Sequence, residues 1–198
     1  AMAQSEADEA VKNATSIIKS DAPDKDKQVA AIAKGFKKDP KTLTAIGRAY
    51  FNAGNKEKAM EYGNMAVAGK NKSYGEAYIL MGDVETLNDN PGEAAEGYRR
   101  YAYIMAKVSP KESANALEQL RQAVPDYPVD IIAAEIYDNA GDKKNAIAYY
   151  EKVDRNKMKD NQFVNYLTCL FFTQNYDKVI EQGVWGVTKF PTAPAIPR

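Results

Sequence analysis

Carboxylates lie close in sequence at Glu6, Asp8 and Glu9 near the start, and at Asp83 and Glu85 further on. Such groups do general acid–base work when a cleft shifts their pKa values apart. Here they fall on polar helical stretches and read as ordinary solvated acids. Histidine is absent, which removes the usual general base near neutral pH and the commonest transition-metal ligand. Cys169 is the single cysteine, so no intrachain disulfide or thiolate zinc cluster can form. It sits in the apolar run Tyr166-Leu167-Thr168-Cys169-Leu170-Phe171-Phe172 and reads as a small buried hydrophobe rather than a reactive thiol. The chain carries no phosphate-binding glycine loop, no G-x-S-x-G and no H-E-x-x-H. These absences predict a protein that is not an enzyme, with no catalytic residue, no metal ligand set and no cofactor.

Binding chemistry is better represented. Tyrosine occurs 13 times, enough to suggest a stacking surface for a small molecule or a glycan near the middle of the chain. Tyr50, Tyr62, Tyr78, Tyr98, Tyr137 and Tyr150, however, recur at helical spacing and read as packing residues. Tyr98-Arg99-Arg100-Tyr101-Ala102-Tyr103 mixes bases with aromatics, but one helix must bury part of it, so it is weak nucleic-acid chemistry. Lys34, Lys37 and Lys38 fit the negative end of a helix. Lys+Arg and Asp+Glu both number 27, and that balance argues against a nucleic-acid or anionic-membrane partner. No apolar stretch approaches the ~20 residues that span a bilayer, so no transmembrane segment is expected. With 198 residues, 44% of them hydrophobic, the chain suits one domain or one extended repeat array.

The elements that would position these side chains show themselves when the chain is shifted against itself by 87 residues. Tyr50, Asn52, Ala53, Gly54, Lys56, Ala59 and Tyr62 then fall on Tyr137, Asn139, Ala140, Gly141, Lys143, Ala146 and Tyr149. The Tyr and Ala positions lie on apolar helical stripes. Gly54 and Gly141 are helix stops that take a left-handed conformation, and Asn55 and Asp142 are N-caps for the helix that follows. Ala59 and Ala146 let two helices approach closely. The unit is helix, tight turn, antiparallel helix.

This unit resembles the tetratricopeptide (TPR) repeat. Leu43, Ile46-Gly47, Tyr50, Gly54, Ala59 and Ala66 follow that pattern. A second unit reads Tyr78, Met81-Gly82, Ala94 and Tyr98, and a third Ala134, Tyr137, Gly141, Ala146 and Tyr150. A fourth, Phe163, Leu167, Leu170, Val179 and Pro191, lacks the small residues. The resemblance implies an all-α, right-handed superhelical solenoid of antiparallel helix pairs. Periodicity and cap signals predict helices near 5–19, 25–38, 41–53, 56–69, 74–88, 91–107, 111–123, 129–139, 143–153, 160–173 and 176–189. Ala94 to Ala146 exceeds one repeat by about half a repeat's length, which predicts one extra short helix in the middle. The organisation expected is one array over 1–198, with an N-terminal half at about 5–108, a break at about 109–128 and a C-terminal half at about 129–190.

For function, the resemblance implies a protein-interaction scaffold that holds a peptide or partner protein on its inner helices. By family register the outward positions of the first two well-formed repeats are Lys41, Thr44, Arg48 and Phe51, then Glu76, Ile79, Asp83 and Thr86. The clamp by which one TPR subgroup grips chaperone tails would fall at Thr44, Arg48, Ile79, Asp83, Ile131 and Glu135, which do not reproduce it. The rival reading is a small-molecule or glycan-binding module that uses the central tyrosines. Val184, Trp185 and Val187 leave the last helix apolar, and with Pro191-Thr192-Ala193-Pro194-Ala195 suggest an unfinished array or self-association through that end. Ala1-Met2-Ala3 resembles the end of a signal peptide. As a leader remnant it implies a bacterial protein exported to the periplasm; as a cloning scar it leaves the protein cytoplasmic.

Overall fold

The computed structural model describes residues 2–193. Among them are eleven α-helices, two short 3-10 turns and no strand. The helices are α1 (Met2–Lys19), α2 (Lys25–Lys34), α3 (Pro40–Asn52), α4 (Lys56–Ala66), α5 (Gly75–Leu87), α6 (Pro91–Met105), α7 (Pro110–Ala123), α8 (Val129–Asn139), α9 (Lys143–Tyr150), α10 (Asp160–Phe172) and α11 (Tyr176–Lys189). The architecture is the all-α, TPR-like helical solenoid expected. The ends differ from expectation by three residues or more in four places. α1 begins at Met2 rather than near residue 5. α2 stops at Lys34, where Gly35 and Phe36 turn back onto Ile32 and Ala33. α4 stops at Ala66 and gives way to a 3-10 turn over Gly69–Asn71. α9 stops at Tyr150, before a second such turn at Arg155–Lys157. The helix expected near 111–123 is present as α7; at 14 residues it is as long as its neighbours rather than short. No helix among the described residues is long and apolar enough to cross a membrane.

The chain divides into two compact units, Ala1–Met105 with Ala116–Pro125, and Ala106–Asn115 with Asp126–Arg198. In the first unit α3 pairs with α4 and α5 with α6, α4 packs on α5, and α3 lies between α1 and α5. Leu43, Ile46, Tyr50, Ala59, Tyr62, Leu80 and Val84 form its core together with Val29 and Ile18. Tyr50 and Tyr62 stack at 5.6 Å between ring centroids. In the second unit α8 pairs with α9, α9 with α10 and α10 with α11. Tyr150, Phe163, Cys169 and Leu170 are its buried centre, with Trp185 and Phe190 packed on Phe163.

One turn is built four times. Gly54 (φ 86°), Asp89 (φ 56°), Gly141 (φ 82°) and Gln174 (φ 63°) all take the left-handed conformation. In each case the next residue's N–H reaches back to the last helical turn. Asn55 donates to Tyr50 O at 2.9 Å, Asn90 to Glu85 O at 2.9 Å, Asp142 to Tyr137 O at 2.9 Å and Asn175 to Leu170 O at 2.8 Å. These bonds satisfy carbonyls that a helix end otherwise leaves orphaned. The residue after the turn is always Asn or Asp. Asn55 and Asp142 cap the next helix, accepting from Lys58 N at 3.0 Å and Asn145 N at 3.1 Å. The fourth repeat, weak by residue identity, is therefore a full member of the series. Ala59 and Ala146 are both completely buried, in keeping with their reading as close-approach positions.

Candidate partner-binding groove

α3 is started by Asp39, whose carboxylate accepts from Thr42 N at 3.3 Å and from the Thr42 hydroxyl at 2.7 Å, with Pro40 in the first turn. That start sets the helix phase and carries Arg48 and Phe51 on one face, three residues apart. α5 brings Asp83, Thr86 and Leu87 alongside, α6 contributes Tyr98, and α7 contributes Gln119, Gln122 and Ala123. Within the first unit, Phe51 and these residues line an open groove of about 470 Å³.

Its floor is a connected polar network. Arg48 Nη1 donates to Asp83 Oδ2 at 2.8 Å, in an ion pair whose side chains are about one-third and one-fifth exposed. The Tyr98 hydroxyl donates to Asp83 Oδ1 at 2.8 Å. The Thr86 hydroxyl lies 2.9 Å from the Tyr98 hydroxyl and 2.9 Å from Gly82 O. The Arg48 guanidinium also stacks over the Phe51 ring, 5.1 Å from its centroid. Both Asp83 oxygens are thus held, one by a cation and one by a phenol. Burial, with the Asp83 carboxylate opposing ionisation, pushes Tyr98 up to about 12, so it stays a neutral donor at physiological pH. The network ties the side chains of α3, α5 and α6 to one another.

Of the eight positions expected on this face, Arg48, Phe51, Asp83 and Thr86 come together here, the last three in the groove lining and Arg48 against Asp83 and Phe51. Lys41 and Glu76 are exposed in the first turns of α3 and α5, outside that lining. Ile79 is half-buried and does not line it either. Thr44 departs from expectation: it is 7% exposed, not outward-facing, because α3 has α1 on one side and α5 on the other. Its hydroxyl is buried and has no hydrogen-bond partner among the described residues. Phe51 both lines the groove and packs against the core of its unit.

Sequence reasoning missed Leu87, Gln119 and Gln122. Leu87 is 57% exposed, an apolar residue one turn beyond Asp83 with no core position to fill. Gln119 and Gln122 are exposed and three apart on α7, the polar face of an amphipathic helix. Tyr98 was read as packing; its ring is buried, but its hydroxyl belongs to the groove. The other central tyrosines are largely occupied in packing. Tyr78 and Tyr101 are buried, Tyr78 donating to Lys72 O at 2.8 Å, and exposed Tyr103 lies under the Arg99 guanidinium. A separate cavity of about 400 Å³ in the second unit has Tyr127 as its one aromatic lining residue, among Asp126, Asp130, Lys152 and Asp154.

Elsewhere, buried tyrosine hydroxyls repeatedly meet carboxylates: Tyr50 donates to Asp26 at 2.8 Å, Tyr166 to Glu151 at 2.9 Å and Tyr150 to Asp138 at 3.2 Å. Burial pushes all three phenols up. Asp138 also pairs with Lys143. Cys169 is buried, and burial beside Asp138 pushes its thiol up to about 12. No group of three or more His, Cys, Asp or Glu able to hold a metal ion is found among the described residues.

Residues 40–62 and 131–157 match the family model for the tetratricopeptide repeat. No curated protein matches the sequence. Among solved structures, YrrB, a TPR protein with an unusual peptide-binding site, is 14% identical, with 84% of this chain and 94% of that one covered, at a TM-score of 0.39. The MamA protein is 16% identical over 91% of this chain and 92% of its own, at a TM-score of 0.39. The pilF protein of Pseudomonas aeruginosa is 12% identical over 98% of this chain and 96% of its own, at 0.41.

Proposed function

We propose that this chain, a tetratricopeptide-repeat protein, is a non-enzymatic scaffold that holds an extended segment of a partner protein in the groove of its first unit. The observation that carries this reading is the pairing of unlike surfaces there. Exposed Leu87 and half-buried Phe51 share the lining with Gln119 and Gln122, and hydrogen bonds join Arg48, Asp83 and Tyr98 in the same place. A primary amide both donates and accepts, so the two glutamines can bond the backbone of an extended peptide without demanding a particular sequence. Leu87 and Phe51 give one apolar side chain of that peptide a place to anchor, the arrangement in which a few residues carry most of the affinity. The role of the polar network there is to hold rather than to react: Asp83 accepts from Arg48 and from Tyr98 and ties α3, α5 and α6 together beneath a bound segment.

The test is site-specific photocrosslinking. A benzoylphenylalanine at position 87 is irradiated in native extract and the adduct identified by mass spectrometry, with the same probe at exposed Glu57 as comparison. The proposal expects a discrete protein adduct at 87 that is lost with Gln119→Ala and Gln122→Ala together. Equal labelling at 57, or no protein adduct at 87, contradicts it.

A further inference from the structure

Three helices of the first unit, α4, α5 and α6, enclose a separate cavity of about 300 Å³. Met60 and Val67 on α4 and Met81 on α5 form its apolar floor, each half-buried and packed against the core of the unit. Gly63 lets Met81 lie flat against α4, since a Cβ there would come within 2.7 Å of Met81 Cγ. Glu85, Glu93, Glu96 and Arg100 complete the lining with polar groups. Met81 and Glu85 are each two residues from Asp83, about 200° round α5, so this cavity opens on the far side of that helix from the groove.

Its charges are unbalanced, which sets it apart. In the groove Asp83 is matched by Arg48, and the cavity of the second unit has Lys152 and Lys157 among its aspartates. Here the nearby cations are already taken. Arg99 and Arg100 both donate to Glu96, and the Arg100 guanidinium lies over the Tyr78 ring, 5.4 Å from its centroid. Glu85 accepts only from the neutral amide of Asn90, at 2.7 Å. Exposed Glu93 has neither hydrogen bond nor ion pair among the described residues. Neighbouring helices alternate in direction, so Met60, Glu85 and Glu93 share one end of the cavity, with Val67 and Arg100 about 10 Å away at the other. Two carboxylates without a cation thus stand together at the edge of an apolar floor.

We infer that this cavity takes the side chain of a lysine presented by a partner protein. A lysine buries its hydrocarbon stem along apolar surface while its ammonium stays in water. The stem lies on Met60 and Met81, whose flexible thioethers adapt to its shape, and the ammonium stands between Glu85 and Glu93. The cavity is at the low end of the size of small-molecule sites and suits one long side chain. An acidic residue would be repelled there, and an apolar one would cover the two carboxylates without compensation. The charge of the partner is thereby fixed as positive at this point.

Methyl NMR of protein labelled at its methionine methyl groups tests the inference, because Met60 and Met81 report from the cavity floor. The probe is the peptide acetyl-Ala-Ala-Lys-Ala-Ala-amide, titrated into the millimolar range. The same peptide with norleucine in place of lysine keeps the stem and removes the charge. The expected result is a saturable shift of the Met60 and Met81 methyls with the lysine peptide. Norleucine weakens binding about fivefold or more, since two exposed carboxylate contacts are lost. Glu85→Gln and Glu93→Gln together weaken the lysine peptide by a similar factor. Glutamine keeps the shape of each side chain and can still accept from Asn90, so the double variant folds, which its circular dichroism and melting temperature verify. No saturable shift at Met60 and Met81, equal binding of the norleucine peptide, or equal binding of the lysine peptide by the double variant overturns the inference.

Discussion

Replacing Gly97 by alanine adds one methyl group where α6 crosses the backbone of α5. A Cβ built there lies 2.8 Å from Tyr78 O and 3.0 Å from both Gly82 Cα and Gly82 N. Close C–H···O contacts between helices run at about 3.3–3.6 Å, so α5 and α6 must part by about half an ångström. The opposing atoms are backbone and cannot rotate away. A gap of that size forfeits a quarter to a half of the dispersion energy across the crossing, where Ala77, Leu80, Ala94, Tyr98 and Ala102 are buried. Overpacking costs about 1–3 kcal/mol, and opposing backbone puts this site at the upper end, about 2–3 kcal/mol; the helix-propensity gain of Gly→Ala offsets about 1 kcal/mol of it. The net expectation is about 1–2 kcal/mol of destabilisation, or about 2–8 °C in Tm for a chain of this length. Gly92, in the first turn of the same helix, is the internal control. A Cβ there meets nothing within 4 Å, so Gly92→Ala stabilises by about 0.5–1 kcal/mol. Urea unfolding followed at 222 nm, with midpoint and slope both fitted, separates the two. If Gly97→Ala is as stable as the parent, the α5–α6 crossing is not where the structure puts it and the reasoning fails.

Three further outcomes are expected. Asp89→Gly and Gln174→Gly each raise the urea midpoint, by about 0.5–1 kcal/mol in stability, because both side chains sit at positive φ where L-residues are strained; an unchanged or lower midpoint in both refutes the shared turn. Cys169 in the native protein resists a disulfide reagent at pH 8 and reacts promptly once the chain is unfolded in urea, since burial pushes its thiol up to about 12; prompt native labelling contradicts its burial. Hydrogen bonds from Arg99 and Arg100 hold the Glu96 carboxyl at about 2, below its unfolded value. A depressed carboxylate contributes stability above its unfolded pKa and loses it as pH falls towards the folded one. The gap between the parent and Glu96→Gln, below about 1 kcal/mol for so exposed a pair, therefore narrows from pH 5 towards pH 2; a gap that widens on acidification contradicts the assignment.

The helices and the repeat were legible because they rest on local chemistry. Gly54 and Gly141 announce a left-handed turn by residue type, and Asn55 and Asp142 announce a cap. Asp89 and Gln174 make the same turn with residues that do not advertise it, and tertiary packing of the hairpins holds them there. Half of the candidate groove was equally readable: Arg48, Phe51, Asp83 and Thr86 share a helix phase within two repeats. Thr44 was placed outward by register alone, and register does not reveal that α1 closes over that side of α3. Gln119 and Gln122 reach the groove from α7, beyond the regular repeats, and no periodicity links position 83 to position 122.

The central claim is that the first unit's groove grips a partner segment, and titration calorimetry of that segment tests it most directly. The sequence crosslinked to position 87 is made as a peptide and titrated into the parent protein, Leu87→Glu, and Ile180→Lys as a folded variant altered outside the groove. The account predicts at least tenfold weaker binding for Leu87→Glu, about 1.4 kcal/mol, with Ile180→Lys unchanged. Equal affinity for the parent and a folded Leu87→Glu variant would contradict it.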